Sequence, residues 1–279
     1  MTTEETSAGK TQLRKPTEGA AGRLLHGRRA LIAGVANERS IAWAIAQAFH
    51  RHGAEMIFTY PGEAMGRRVV PLVEPIAKAI IDCDVSRDDQ IDHAAQEAKR
   101  VWGELDVLVH SLAFAPREAM DGRFTEVTSR AAWRTALEVS AYSLIGMARA
   151  MKPLMRPGAA IMCMTYYGAE KVVTNYNVMG VAKAALECTV RYLAQDLGQD
   201  GIRVNAVSAG PLKTLAAAGI KGLRSMITEN ADKTPLKRNI EQDDVADAAL
   251  YLCSDLARNV TGEILHVDAG QNIMGVVAM

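Results

Sequence analysis

From Arg29 onward, short β-rich runs alternate with longer stretches whose apolar residues recur at helical spacing. Strands that alternate with helices are joined by crossovers, and a crossover-linked parallel sheet is covered on both faces. The strands read as Ala30–Ala33, Met56–Tyr60, a third near Ala79–Cys83, Leu105–Val109, Ala160–Met164, Ile202–Val207 and Ile264–Val267. Helical spacing follows the first strand, where Ile41, Ala44, Ile45, Ala48 and Phe49 share a face and Gly53 ends the run. It returns from about Arg87 to Val101, from Ser129 to Leu154, and from Tyr176 to Leu197 with Gly198 as a stop. The expected class is α/β, a doubly wound seven-stranded parallel sheet. No internal repeat interrupts it.

A chain of 279 residues suits one large α/β domain. Its 49% hydrophobic content is enough for a sizeable core. Lys plus Arg and Asp plus Glu each total 32, so no global attraction to nucleic acid or to an anionic membrane follows. The apolar runs are far shorter than the ~20 residues of a membrane span. Cys83, Cys163, Cys188 and Cys253 are scattered, without a Cys-x-x-Cys pair or a His cluster, which argues against a disulfide framework and a metal site. A reducing, cytoplasmic compartment is expected. Residues 1–23 nearly lack large apolar side chains and read as a disordered tail ahead of a single domain, 24–279. Their lack of an apolar h-region and their acids Glu4, Glu5 and Glu18 argue against a secretory or transit signal.

In a doubly wound sheet the ligand crevice lies beyond the carboxyl ends of the strands, where strand order reverses. The loops after strands one, four, five and six should line it. The first, Gly34-Val35-Ala36-Asn37-Glu38-Arg39, leads to Ser40, an N-cap candidate, and Ile41. Many αβ turns carry one Gly and an N-cap Ser, so this loop by itself is weak. Asp84-Val85 closes the third strand with a carboxylate that could accept from an adenine amino group; a helix N-cap is an equally good reading of Asp84. Ser111-Leu112-Ala113-Phe114 follows strand four with mostly small residues, as close approach of a ribose and a nicotinamide requires. Strand six runs into Gly210-Pro211-Leu212, a break that exposes backbone groups.

Tyr176 lies seven residues before Lys183. On a regular helix that is about 10 Å of rise and about 20° short of two turns, so both side chains share a face. A second tyrosine, Tyr166, precedes Tyr176 by ten residues. With Gly34-Val35-Ala36-Asn37-Glu38-Arg39-Ser40-Ile41-Ala42, this spacing resembles the short-chain dehydrogenase/reductase family, specifically its enoyl-acyl carrier protein reductase branch. The resemblance covers about residues 24 to 275.

The resemblance implies a single Rossmann-type domain that reduces a trans-2-enoyl thioester carried on acyl carrier protein. Tyr176 would donate to the thioester oxygen and Lys183 would hold the nicotinamide ribose hydroxyls, with Tyr166 near the acyl chain. Gly34, Ser40, Ile41, Asp84, Val85, Ser111, Leu112, Ala113, Lys183, Leu212 and Thr214 would bind the cofactor. Phe114, Ala115, Met179 and Leu223 would line the substrate pocket. Ala216, Ala217, Ala218, Ile220, Leu223, Met226 and Ile227, within a segment at about 213–235, could form an apolar lid. An ordinary helix pair packed on the sheet reads equally well there.

The second strand ends in Tyr60-Pro61-Gly62-Glu63 with no basic residue directly after it; Arg67 and Arg68 lie further on. This favours NADH and leaves NADPH open. Tyr167 departs from the small or aliphatic residue the branch would lead one to expect. A homotetramer is implied, with the last strand and long helices at its interfaces. One rival is a short-chain carbonyl or 3-oxoacyl thioester reductase, which would carry Tyr four residues before Lys; Met179 holds that position here. The other is a non-catalytic nicotinamide-binding regulator, which would need no proton donor.

Overall fold

The strand β1 (Arg29–Ala33) stands near the middle of a seven-stranded, all-parallel sheet whose order is β3-β2-β1-β4-β5-β6-β7. The others are β2 (Glu55–Tyr60), β3 (Ala77–Asp82), β4 (Leu105–His110), β5 (Met155–Thr165), β6 (Arg203–Ala209) and β7 (Ile264–Val267). The computed structural model describes residues 23–214, 227 and 231–275. The expected tail up to residue 22, Leu223 and most of the expected lid lie outside the described residues.

Both faces of the sheet are buried, and the strand period of two divides the core. Ala30 and Ile32 face one layer, packed against α1 (Ile41–Arg51), α2 (Gly62–Val73) and α8 (Gln242–Cys253). Leu31 and Ala33 face the other, against α3 (Asp88–Trp102), α6 (Ser143–Met151) and α7 (Asn177–Gly198). Between α3 and α6 the chain forms a short α4 (Phe124–Val127) and α5 (Arg130–Leu137). Phe49 of α1 and Phe58 of β2 are fully buried, each contributing roughly 2–3 kcal/mol. Gly53, at φ +84°, turns the chain from α1 toward β2 in a left-handed conformation that glycine adopts without a Cβ clash.

Four local expectations are corrected. The stretch from Ser129 to Leu154 is not one regular helix: Ser129 Oγ caps α5 by accepting from Ala132 N–H, but a π-turn at Glu138–Tyr142 separates α5 from α6. Besides the single-turn α4, two longer helices escaped the periodicity reading. In α2, Pro71 and Gly66 mask the pattern, and Gly66 lies where the Tyr60 ring leaves no room for a Cβ. In α8 the start was signalled by a reciprocal capping box between Glu241 and Asp244. Finally, α7 begins at Asn177, so Tyr176 is its N-cap and not part of its regular turns.

Candidate active site

Strand order reverses between β1 and β4, and the loops leaving these two strands meet there. Ser111 N–H donates to Ala33 C=O at 2.9 Å, and Gly34 has φ +117°. A Cβ on Gly34 would sit 2.1 Å from the Ser111 carbonyl oxygen, so only glycine lets the two backbones approach this closely. Ser40 is the N-cap of α1, as expected, but its hydroxyl does not cap the helix. Its Oγ accepts from the N–H groups of Ala36 and Asn37, both at 3.0 Å, and closes the spacer loop on itself. Ile41 opens the helix, partly buried.

Lys183 is 4% exposed, and its ammonium reaches the mouth of the sheet. Nζ donates to Met164 C=O, near the end of β5, at 2.7 Å and more weakly to Leu112 C=O, beyond β4, at 3.5 Å. Burial pulls its pKa down to about 8, opposed by Cys163 and by Glu187 one helical turn on. Tyr176 is 8% exposed. Burial, reinforced by the neighbouring Tyr166, raises its phenol pKa, and burial moves that of Tyr166 up to about 12. Both phenols therefore remain protonated at neutral pH, the state a hydrogen-bond donor requires. Tyr166, Tyr176, Met179 and Ala115 belong to one small apolar cluster set apart from the two main layers.

The remaining predicted residues divide by place. Asp84 does not cap α3, whose N-cap is Arg87; its Oδ1 instead accepts from the N–H and hydroxyl of Ser86 in an Asx-turn. Val85 and Leu212 are buried, and Thr214 N–H donates to Leu212 C=O at 2.9 Å. Ala113 and Phe114 are exposed, Phe114 by 55%, and the backbone of Phe114 is held at both polar groups by Ser140 Oγ. Ser140 lies in the π-turn, 3.8 Å from Met179 Sδ. Tyr167, which the sequence left unexplained, donates its hydroxyl to Asn272 C=O at 3.4 Å and so reaches the C-terminal segment.

A family model described as Enoyl-(Acyl carrier protein) reductase matches residues 34–272. The chain belongs to this reductase family. It is 49% identical to the Rickettsia typhi protein named Enoyl-[acyl-carrier-protein] reductase [NADH] FabI, over 91% of this chain and 97% of the relative. The crystal structure of the Aquifex aeolicus enoyl-[acyl-carrier-protein] reductase (NADH) superposes with a TM-score of 0.88 at 49% identity, covering 91% of this chain and all of that one. The Bacillus cereus enoyl-acyl carrier protein reductase, solved with NADP+ and an indole naphthyridinone, gives 0.89 at 46% identity, covering 91% and 100%. The Rossmann-type sheet of this reductase is thus the one its relatives share.

Several residues of the reductase near Lys183 and Tyr176 carried no role in the sequence reading. His110 ends β4 fully buried, with Nε2 2.7 Å from Ser143 Oγ. Burial, and then the charge of Lys183, push its pKa down to about 3, so it is neutral throughout the physiological range. Glu187 accepts from Thr165 Oγ1 at 2.7 Å, and burial raises its pKa. Gly168 lies against the Tyr176 ring, where a Cβ would come within 2.5 Å of Cδ1. No spacing rule signals these contacts. An open groove of about 460 Å³ at the β3 edge, lined by Asp82, Asp89 and Glu97 among others, contains none of the predicted residues. Among the described residues no helix is long and apolar enough to cross a membrane, and no group of three or more metal-binding side chains converges.

Proposed function

We propose that this chain reduces the carbon–carbon double bond of trans-2-enoyl thioesters carried on acyl carrier protein, with NADH, in fatty acid biosynthesis. The observation that carries the reading is the burial of a phenol, Tyr176, and an ammonium, Lys183, beside the crevice where strand order reverses. The residues present fit a dinucleotide. Gly34 allows close backbone approach at the first turn, and Lys183 has more donors than its two carbonyl partners use. Gly34, Ser40 and Ile41 would hold the pyrophosphate, and Asp84 and Val85 the adenine. Ser111, Leu112, Ala113 and Lys183 would hold the ribose and nicotinamide, with Leu212 and Thr214 at the carboxamide.

When bound, NADH supplies a hydride to the β-carbon of the enoyl group. The π-electrons move toward the carbonyl, and negative charge develops on the thioester oxygen. The Tyr176 phenol, kept protonated by burial, donates to that oxygen and stabilises the enolate. Lys183 fixes the ribose hydroxyls, so hydride donor and acceptor stay in register. Tyr166, edge-on to Tyr176 and clustered with Ala115 and Met179, would line the acyl pocket together with Phe114 and with Leu223, which lies outside the described residues. The segment at about 213–235 would close over the chain.

The relatives named as NADH-dependent reductases support NADH, and the Bacillus cereus complex with NADP+ keeps the second cofactor in the test. The reading places the protein in the cytoplasm as a homotetramer. Exposed Trp133, Tyr142, Ile145 and Tyr192 on the helices after β4 and β5 supply apolar surface for assembly. The deciding assay follows absorbance of reduced nicotinamide with a crotonyl or longer 2-enoyl thioester, using NADH and NADPH in turn. NADH consumption is expected. Turnover of 3-oxoacyl thioesters only, or no turnover with either cofactor, would overturn the reading.

A further inference from the structure

Among the described residues four non-glycine residues have positive φ, and two of them flank Tyr176: Asn175 at +65° and Asn177 at +39°. The left-handed region is costly for most side chains, and asparagine enters it more easily than others. Tyr176 itself lies in the right-handed region, at φ −89° and ψ −21°. Its direction is therefore determined by a backbone reversal on either side, not by the periodicity of α7.

Asn177 also makes a contact far along the chain. Its Nδ2 donates to Ala119 C=O and to Gly122 C=O, each at 3.2 Å. These carbonyls belong to the loop that follows β4, the same loop that carries Phe114 and Ala115. Ala119 and Met120 pack in the apolar cluster that holds Tyr176 and Met179. One residue thus sets the backbone next to the phenol and ties that backbone to the loop expected to contact the acyl chain.

We propose that Asn177 is a positioning residue for the reduction: its left-handed backbone aims Tyr176, and its carboxamide locks that aim to the substrate-side loop at Ala119 and Gly122. It touches neither substrate nor cofactor and acts through Tyr176, so the inference rests on Tyr176 as the donor. The loop and the phenol then move as one body, and the acyl chain and the proton donor are placed together.

Two substitutions separate the parts. Asn177→Asp keeps the shape and the left-handed tolerance but turns the amide donor into a carboxylate facing two carbonyls. Asn177→Gly keeps the backbone freedom and removes the side chain. For both we expect kcat with an enoyl thioester to fall by about tenfold or more, the loss of an interaction made in the transition state. NADH affinity, read by fluorescence titration, should stay within about twofold, and far-ultraviolet circular dichroism should be unchanged. Wild-type kcat in either folded variant would overturn the proposal, as would a loss of NADH affinity that parallels the loss of kcat. If Asn177→Asp does not fold, Asn177→Gly is judged by the same criteria. Tyr176→Phe, run beside them, distinguishes the two levels. Full activity in Tyr176→Phe sinks the donor reading itself, whereas an inactive Tyr176→Phe with an active Asn177→Gly sinks only the positioning role.

Discussion

The rings of Tyr166 and Tyr176 stand edge to face, with centroids 4.9 Å apart and planes at 73°. An aromatic edge is electropositive and an aromatic face electronegative, so this geometry is attractive, by about 0.5–1.5 kcal/mol beyond area burial. It restrains the Tyr176 ring from one side while the Gly168 backbone supports it from another. A phenol held on two sides needs little reorganisation when charge develops in front of it, which is the condition for electrostatic stabilisation of an enolate.

Tyr176→Phe keeps the ring packing and removes only the hydroxyl. We expect kcat for enoyl thioester reduction to fall about 10²–10³-fold, or about 3–4 kcal/mol in the barrier. NADH binding should persist. Stopped-flow turnover and fluorescence titration check the two halves independently, and undiminished turnover would remove the phenol from the mechanism.

If Lys183 holds the ribose hydroxyls as proposed, NADH affinity should depend on pH. Burial lowers its pKa from the ordinary 10.5 to about 8, against the opposing pull of Cys163 and Glu187. Below about 8 the folded chain carries the ammonium proposed to hold the ribose hydroxyls; as pH rises through 8 the charge is lost. Affinity should therefore weaken above pH 8 in the wild type, while Lys183→Met binds weakly at every pH. Stability of the unliganded protein runs the other way. Between about pH 8 and 10.5 the unfolded chain holds the extra proton, so unfolding becomes harder as pH rises across that window, relative to Lys183→Met. Titration of affinity and of denaturant midpoints from pH 6.5 to 10 tests both signs, and a flat affinity profile would contradict the ribose role.

Gly168→Ala probes the support under the Tyr176 ring. The new Cβ would lie 2.5 Å from Cδ1 and 2.8 Å from Cε1 of Tyr176, so the ring must shift. A displacement of about 1 Å at a reacting group can cost about 100-fold in rate. We expect kcat to drop by about tenfold or more, with NADH affinity preserved. Unchanged kcat would mean that the ring position is not critical.

Much of the fold was readable because its signals are local. β-rich runs of four to six residues bounded by turns located all seven strands, though β5 extends well beyond its predicted run, and helical spacing located α1, α3 and α7. The failures were local as well. Pro71 and Gly66 interrupt α2, and α8 begins at a capping box that an apolar-periodicity reading passes over. The π-turn at Glu138–Tyr142 leaves no mark in spacing, yet it places Ser140 against Phe114.

By itself the amino-acid order determined the parallel sheet, because strand and helix periodicities depend on residue type and on distance along the chain. It singled out Gly34, Tyr176 and Lys183 as candidates, and the close backbone approach that requires glycine at position 34 appears only once β1 and β4 lie side by side. Only the tertiary structure decided which way the phenol points. That direction comes from the left-handed turn at Asn177, from the backbone at Gly168 and from the ring of Tyr166, groups brought together by packing. Contacts of this kind follow from the closure of the whole sheet and its loops, and no periodicity encodes them.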